Sequence, residues 1–105
     1  DMAEAYNTFA AQGVHHEPFI VRSMEYLDGG TVYQGAGESE RVFAEDVMAD
    51  TTYALQQVVE RGSGEPAQGI GRPSAGKTGT SQENRSAWYV GYTPQLTTAV
   101  AMYQV

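Results

Sequence analysis

The sequence predicts an α+β fold: an antiparallel three-strand meander over residues 74–104, with flanking helices at about 1–12 and 45–61. Three observations carry this expectation. Apolar residues recur at helical spacing in two separate stretches. The run Ala87-Trp88-Tyr89-Val90-Gly91-Tyr92-Thr93 is rich in the aromatic and branched residues that favour strands. Polar turns at residues 82–85 and at Pro94-Gln95 separate that run from a strand-like neighbour on each side.

The elements follow in order. Met2, Ala5, Tyr6, Phe9 and Ala10 share one face of a first helix, and Gly13 is a C-terminal stop. Residues 18–27 form the first strand candidate. Asp28-Gly29-Gly30 is a hairpin turn, residues 31–34 return as a short strand, and residues 35–40 read as loop. In the second helix Val47, Met48, Thr51, Leu55, Val58 and Val59 fall on one face. Glu45 and Asp46 lie in its first turn and Arg61 in its last, which suits the helix dipole, and Gly62 ends it. The Gly- and Pro-rich stretch 62–73 reads as a mobile loop leading into Ala75-Gly76-Lys77-Thr78-Gly79-Thr80-Ser81, a strand of small residues. Residues 96–103 supply the last strand.

Composition narrows the function. At 105 residues the chain is at most one small domain. Its net charge of −7 disfavours nucleic acid and anionic membrane surfaces as partners. The given residues contain no apolar run long enough to span a bilayer and no signal-peptide pattern. Cysteine is absent, so disulfides are excluded. The chain begins at Asp1 inside an amphipathic pattern and ends strand-like. It is therefore expected to be a piece of a longer polypeptide whose uncovered apolar sheet face favours self-association.

Lys77 is the sole lysine, and it satisfies three short motifs at once. Residues 71–78 fit the phosphate-loop pattern G-x-x-x-x-G-K-[ST]. That loop needs a buried strand before it and a helix after it, to aim amides at phosphate. Here loop chemistry precedes, and Gly79 with a polar cluster follows, so nucleotide binding is not expected. Ser74-x-x-Lys77 fits a nucleophile-and-base pair, but that pair needs one helical turn to bring the groups together. Pro73, Gly76 and Gly79 forbid the turn, and on a strand positions three apart point to opposite faces. Lys77-Thr78-Gly79 fits the third box of the penicillin-recognising enzymes, and its strand setting agrees with that.

Other candidates have plain readings. His15-His16 is a poor chelate without a third ligand, so no metal site and no cofactor are expected. Trp88, Tyr89 and Tyr92 read as sheet packing. Glu38, Glu40, Glu45 and Asp46 read as a solvated face with nothing to raise a pKa.

The box and the strand after it, through Trp88-Tyr89-Val90-Gly91-Tyr92-Thr93-Pro94, resemble the C-terminal part of a penicillin-binding protein transpeptidase domain. So do Ala5-Tyr6-Asn7-Thr8-Phe9-Ala10-Ala11-Gln12-Gly13-Val14 with Pro18-Phe19-Ile20, and Val58-Val59-Glu60-Arg61-Gly62-Ser63-Gly64. The likeness covers nearly the whole chain and is greatest to the bifunctional, class A-like enzymes. It implies the C-terminal portion of the β-lactamase/transpeptidase-like fold, with residues 1–105 as a fragment of one transpeptidase domain. The Ser-x-x-Lys and Ser-x-Asn boxes are absent from this chain.

The resemblance implies serine acyl transfer on peptidoglycan stem peptides ending in D-Ala-D-Ala, and binding of β-lactams that mimic them. It implies catalytic roles for Lys77 and Thr80, and substrate-binding roles for Thr78, Gly79 and Thr80. Thr78 and Thr80 hydroxyls would hold the terminal carboxylate, and the Thr80 amide would be an oxyanion donor. The implied partners are the stem peptide, β-lactams and the remaining part of the domain. The implied location is the extracytoplasmic face of the bacterial membrane. Without a nucleophile of its own, the piece is expected to be inactive alone. A non-catalytic β-lactam sensor of the same fold, or a small interaction domain with a chance box, are the alternatives.

Overall fold

The computed structural model describes residues 1–104 and contains two helices and seven strands among them. In chain order these are α1 (Met2–Ala10), β1 (Val14–His16), β2 (Ser23–Glu25), β3 (Thr31–Gln34), β4 (Ser39–Arg41), α2 (Glu45–Arg61), β5 (Ala75–Thr80), β6 (Ser86–Thr93) and β7 (Leu96–Tyr103). The expected meander is the antiparallel sheet β5-β6-β7, and both expected helices form.

Helix α1 ends in a Schellman-type closure. The Gly13 amide donates to the Thr8 carbonyl and the Gln12 amide to the Phe9 carbonyl. The left-handed cap position is Gln12 (φ 55°), with Gly13 following at φ 92°. A Cβ on Gly13 would lie 2.2 Å from the Phe43 carbonyl oxygen, so glycine is required there for space as well. Helix α2 has the predicted bounds, but its buried stripe is rotated. Met48 and Val59 are buried with Thr52 and Leu55 half-buried between them, whereas Val47 is 51% exposed.

Two small antiparallel pairs lie between the helices. The β2–β3 hairpin turns at Asp28-Gly29-Gly30 as expected, with Gly29 at φ 89° and the Asp28 carboxylate accepting from the Gly30 amide at 3.0 Å. Only Ser23–Glu25 of the expected strand 18–27 is strand, and even there a bulge between Met24 and Glu25 shifts the register. Part of the expected loop 35–40 is instead strand: β4 pairs with β1, placing Val14 opposite Arg41 and His16 opposite Ser39.

The core is small. Met48, Val59, Ala75, Val90 and Tyr92 are buried where α1 and α2 cover one face of the β5-β6-β7 sheet, and Thr8 of α1 is buried with them. The Tyr92 hydroxyl meets the Thr52 hydroxyl at 2.9 Å, tying β6 to α2, and Thr97 of β7 donates to Asn7 of α1. The chain is open in shape. Its radius of gyration is 17.0 Å, against about 13 Å for a close-packed chain of this length. Its accessible surface is 7875 Å², against about 5,800 Å² for a globular monomer of this mass.

Candidate active site

Strand β5 carries Lys77-Thr78-Gly79-Thr80 and is the edge of its sheet, since β6 pairs with it on one side only. The register sets Lys77 opposite Val90, Thr78 opposite Tyr89 and Thr80 opposite Ala87. Residues directly opposite share a face. Thr78 and Thr80 therefore lie on one face with Tyr89, and Lys77 lies on the helix-covered face with Val90.

The backbone of the edge matters as much as its side chains. The Ser81 amide donates to the Ser86 carbonyl at 3.0 Å, so it points toward β6. Amides alternate in direction along an antiparallel strand, which turns those of Thr78 and Thr80 to the unpaired side. Lys77 is exposed, and its Nζ curls back to donate to the Thr78 carbonyl at 2.8 Å. The ammonium thus sits at the same open edge.

A second element reaches this edge. The Ser63 hydroxyl lies 2.6 Å from the Thr78 hydroxyl. Ser63 is in the tight turn that closes α2, where the amides of Gly62 and Gly64 both donate to the Val58 carbonyl. Side chains at either glycine would press on Val58 within about 3 Å. The following stretch is a 3-10 helix, Glu65–Ile70, where an open loop was expected. It is fastened by Gln68, whose side-chain amide donates to the Val59 and Glu60 carbonyls at 2.8 and 3.0 Å, and it ends at Gly71 in the left-handed region (φ 70°). Pro66 starts it and Gly71 stops it.

Support for β5 also comes from Tyr89. Its ring lies over Gly76 and Gly91, where an added Cβ would meet the Tyr89 ring at 2.8 and 2.7 Å respectively. Burial pushes the Tyr89 phenol above its ordinary pKa. Of the expected packing aromatics, Tyr92 is buried and Tyr89 half-buried, while Trp88 remains 41% exposed. A Cβ on Gly79 would meet only the Trp88 Cβ, at an ordinary contact distance of 3.6 Å.

Other candidates lie apart. The Ser74 hydroxyl is buried without a partner, and Lys77 Nζ is engaged at Thr78, so the two do not form a nucleophile–base pair. His15 bonds the Glu4 carboxylate at 2.8 Å, which holds that carboxyl below the ordinary glutamate range. His16 ends β1. Glu38, Glu40, Glu45 and Asp46 are all exposed, with Glu45 paired to Arg41. Among the described residues no cluster of three potential metal ligands occurs, and no helix is long and apolar enough to cross a membrane.

The sequence model of the penicillin-binding protein transpeptidase domain matches residues 1–105. The chain belongs to the penicillin-binding protein transpeptidase family. Penicillin-binding protein 1A of Mycolicibacterium smegmatis is 42% identical over 95% of this chain, which spans only 14% of that relative's length. The structure of the penicillin-binding protein PonA1 from Mycobacterium tuberculosis superposes with a TM-score of 0.85 at 36% identity, covering 100% of this chain and 29% of that one. The D,D-transpeptidase domain of a peptidoglycan glycosyltransferase from Eggerthella lenta gives a TM-score of 0.78 at 26% identity, covering 94% of this chain and 25% of that one. The mixed helix and antiparallel-sheet architecture is thus that of penicillin-binding protein transpeptidase domains.

Proposed function

We propose that this chain supplies the Lys77–Thr80 edge strand of a peptidoglycan D,D-transpeptidase that also binds β-lactams. The observation that carries the reading is a Lys-Thr-Gly-Thr run on an unpaired sheet edge in a member of this family. An extended stem peptide adds to that edge through backbone hydrogen bonds. The Thr78 and Thr80 hydroxyls, with the Lys77 ammonium beside them, take its terminal carboxylate. The Thr80 amide faces the unpaired side and serves as an oxyanion donor, a type of contact whose removal typically costs about 10²–10³ in rate.

The nucleophilic serine belongs to the remaining part of the transpeptidase domain. Its oxygen attacks the penultimate D-Ala carbonyl and the bond to the last D-Ala breaks. That residue leaves as an amine carrying the serine proton. An amine from a neighbouring stem then attacks the ester, forms the cross-link and returns a proton to the serine. Lys77 adds positive field and assists that proton traffic. The chain alone is inactive, the exposed apolar residues of β7 and of the β2–β3 hairpin being covered by the rest of the protein. Its place is the extracytoplasmic face of the bacterial membrane.

The test is Thr78→Ala in the complete transpeptidase, measured by the second-order rate of penicillin acylation. A hydrogen bond to a charged group is worth about 1.5–3 kcal/mol, so the rate is expected to fall about ten- to hundredfold. An unchanged rate removes the carboxylate role. This chain by itself, incubated with a fluorescent penicillin, is expected to show no covalent adduct by intact mass.

A further inference from the structure

The geometry points to Ser63 as a positioning residue for this site, one that orients the Thr78 hydroxyl toward an anionic carboxylate. The inference rests on the carboxylate-binding reading of Thr78 given above. Its basis is the 2.6 Å contact between the two hydroxyls, near the short end of the range for O–H···O bonds.

Proton accounting gives the contact a direction. Each hydroxyl has one proton, and in the pair alone either oxygen can donate. A carboxylate has none to give, so it must accept from Thr78. The Thr78 oxygen is then free only to accept, and Ser63 becomes the donor to it. The chain Ser63–Thr78–carboxylate runs one way, and each bond polarises the next. Removing the Ser63 hydroxyl leaves the Thr78 rotor unheld and its donated proton less acidic.

Ser63 is placed well for this task. It sits on a turn rather than a free loop, bracketed by Gly62 and Gly64, whose amides both close on the Val58 carbonyl. Gln68 then binds the next stretch to the last carbonyls of α2. Helix α2 itself packs on β5. The donor is therefore fixed relative to the strand before ligand arrives, so the arrangement need not be assembled during binding.

The experiment uses the complete transpeptidase and two probes, benzylpenicillin and its methyl ester, which keeps the reactive ring and lacks the anion. Ser63→Ala and Ser63→Val are expected to slow acylation by benzylpenicillin about three- to tenfold, the range of one net hydrogen bond. Acylation by the ester should change less than about twofold. Ser63→Thr restores the hydroxyl and the rate. In a Thr78→Ala background Ser63→Ala should have no further effect, because its influence passes through Thr78. Equal slowing of both probes means Ser63 only shapes the strand and overturns the proposal, as does no slowing with either. If Thr78→Ala itself leaves benzylpenicillin acylation unchanged, the carboxylate reading falls first. A loss with Thr78→Ala but none with Ser63→Ala defeats this inference alone.

Discussion

Gly76→Ala is the sharpest perturbation of the strand that bears Lys77. An ideal Cβ on Gly76 would lie 2.4 Å from Tyr89 Oη, 2.8 Å from Cζ and 3.1 Å from Cε2. Carbon contacts are relaxed at about 3.5–4.0 Å, so the tip of the ring must move by about an ångström. It cannot move freely, because the same ring lies over Gly91, with Cε1 2.7 Å from the position a Cβ would take. Lifting from one glycine opens a gap over the other. Overpacking of this kind costs about 1–3 kcal/mol, part of it as an off-rotamer tyrosine. Gly76 has no positive φ to protect, so once the ring is gone alanine should help by stiffening the unfolded chain, by about 0.4–1 kcal/mol. The assay is denaturant unfolding of the complete transpeptidase domain for Gly76→Ala, Tyr89→Ala and the double variant. Gly76→Ala is expected to destabilise the parent and to be neutral or stabilising beside Tyr89→Ala. The same cost in both backgrounds would refute the account of the glycines as a seat for the ring.

Two further substitutions have defined outcomes. Tyr92→Phe removes the partner of Thr52 and should lower stability by about 0.5–1.5 kcal/mol, read from the shift in unfolding midpoint. Burial holds the Tyr92 phenol above its ordinary pKa, opposed by the smaller effect of the Thr52 bond. Its neutral form is favoured in the fold, so that contribution is complete below the ordinary phenol pKa and fades as pH rises through the raised one. Tyr92→Phe should flatten this alkaline loss. The Glu4–His15 contact works in the opposite sense. The bond from His15 holds the Glu4 carboxyl low, so its contribution is present above the ordinary glutamate pKa and is lost as pH falls through the depressed one. In His15→Ala, unfolding measured across acidic pH should show a shallower dependence.

The legible parts of this chain were those whose signal is local. Helix α2 announces itself by apolar spacing with acids first and Arg61 last, and its bounds agree with the sequence. Asp28-Gly29-Gly30 fixes the hairpin because the turn needs residues that accept unusual backbone angles. The Lys77 strand was readable because its small residues, the following turn and the aromatic run form one continuous pattern. What failed depended on distant partners. β1 and β4 are three residues each, too short to show alternation, and they exist through pairing across more than twenty residues. The stretch 62–73 has the composition of an open loop; its order comes from backbone closures on the Val58 carbonyl, a 3-10 turn, and the Gln68 side chain reaching back to the helix end. Val47 was misplaced because the buried stripe of α2 is set by how the helix docks on the sheet, not by the apolar count alone. Ser63 carried a faint signal, a hydroxyl between two glycines directly after a helix. Its meeting with Thr78 arises only once α2 lies against β5.

The two faces and the free edge of β5 divide the structural demands on it. On the helix side Ala75, with Val90 and Tyr92 of β6, is buried against α1 and α2, which anchors the start of the strand. On the other side Gly76 is covered by the Tyr89 ring, which holds the strand flat without adding bulk of its own. Both anchors lie before Lys77, so β5 is rigid where it enters and sparing of side-chain contacts where it carries the box. An unpaired edge is ordinarily a liability, since it invites another strand, and natural sheets blunt such edges with charge, lysine above all. Here the sole lysine stands on that edge with its ammonium folded onto the Thr78 carbonyl. One residue would thereby meet two requirements that usually conflict. On the function proposed above, it would discourage pairing with a neutral strand and favour a strand that ends in a carboxylate. A solvated surface charge would meet the first requirement only. The hydroxyl of Thr78 meets that of Ser63 beside the same edge, and Ser63 is held there by a turn in which the Gly62 and Gly64 amides both close on the Val58 carbonyl of α2.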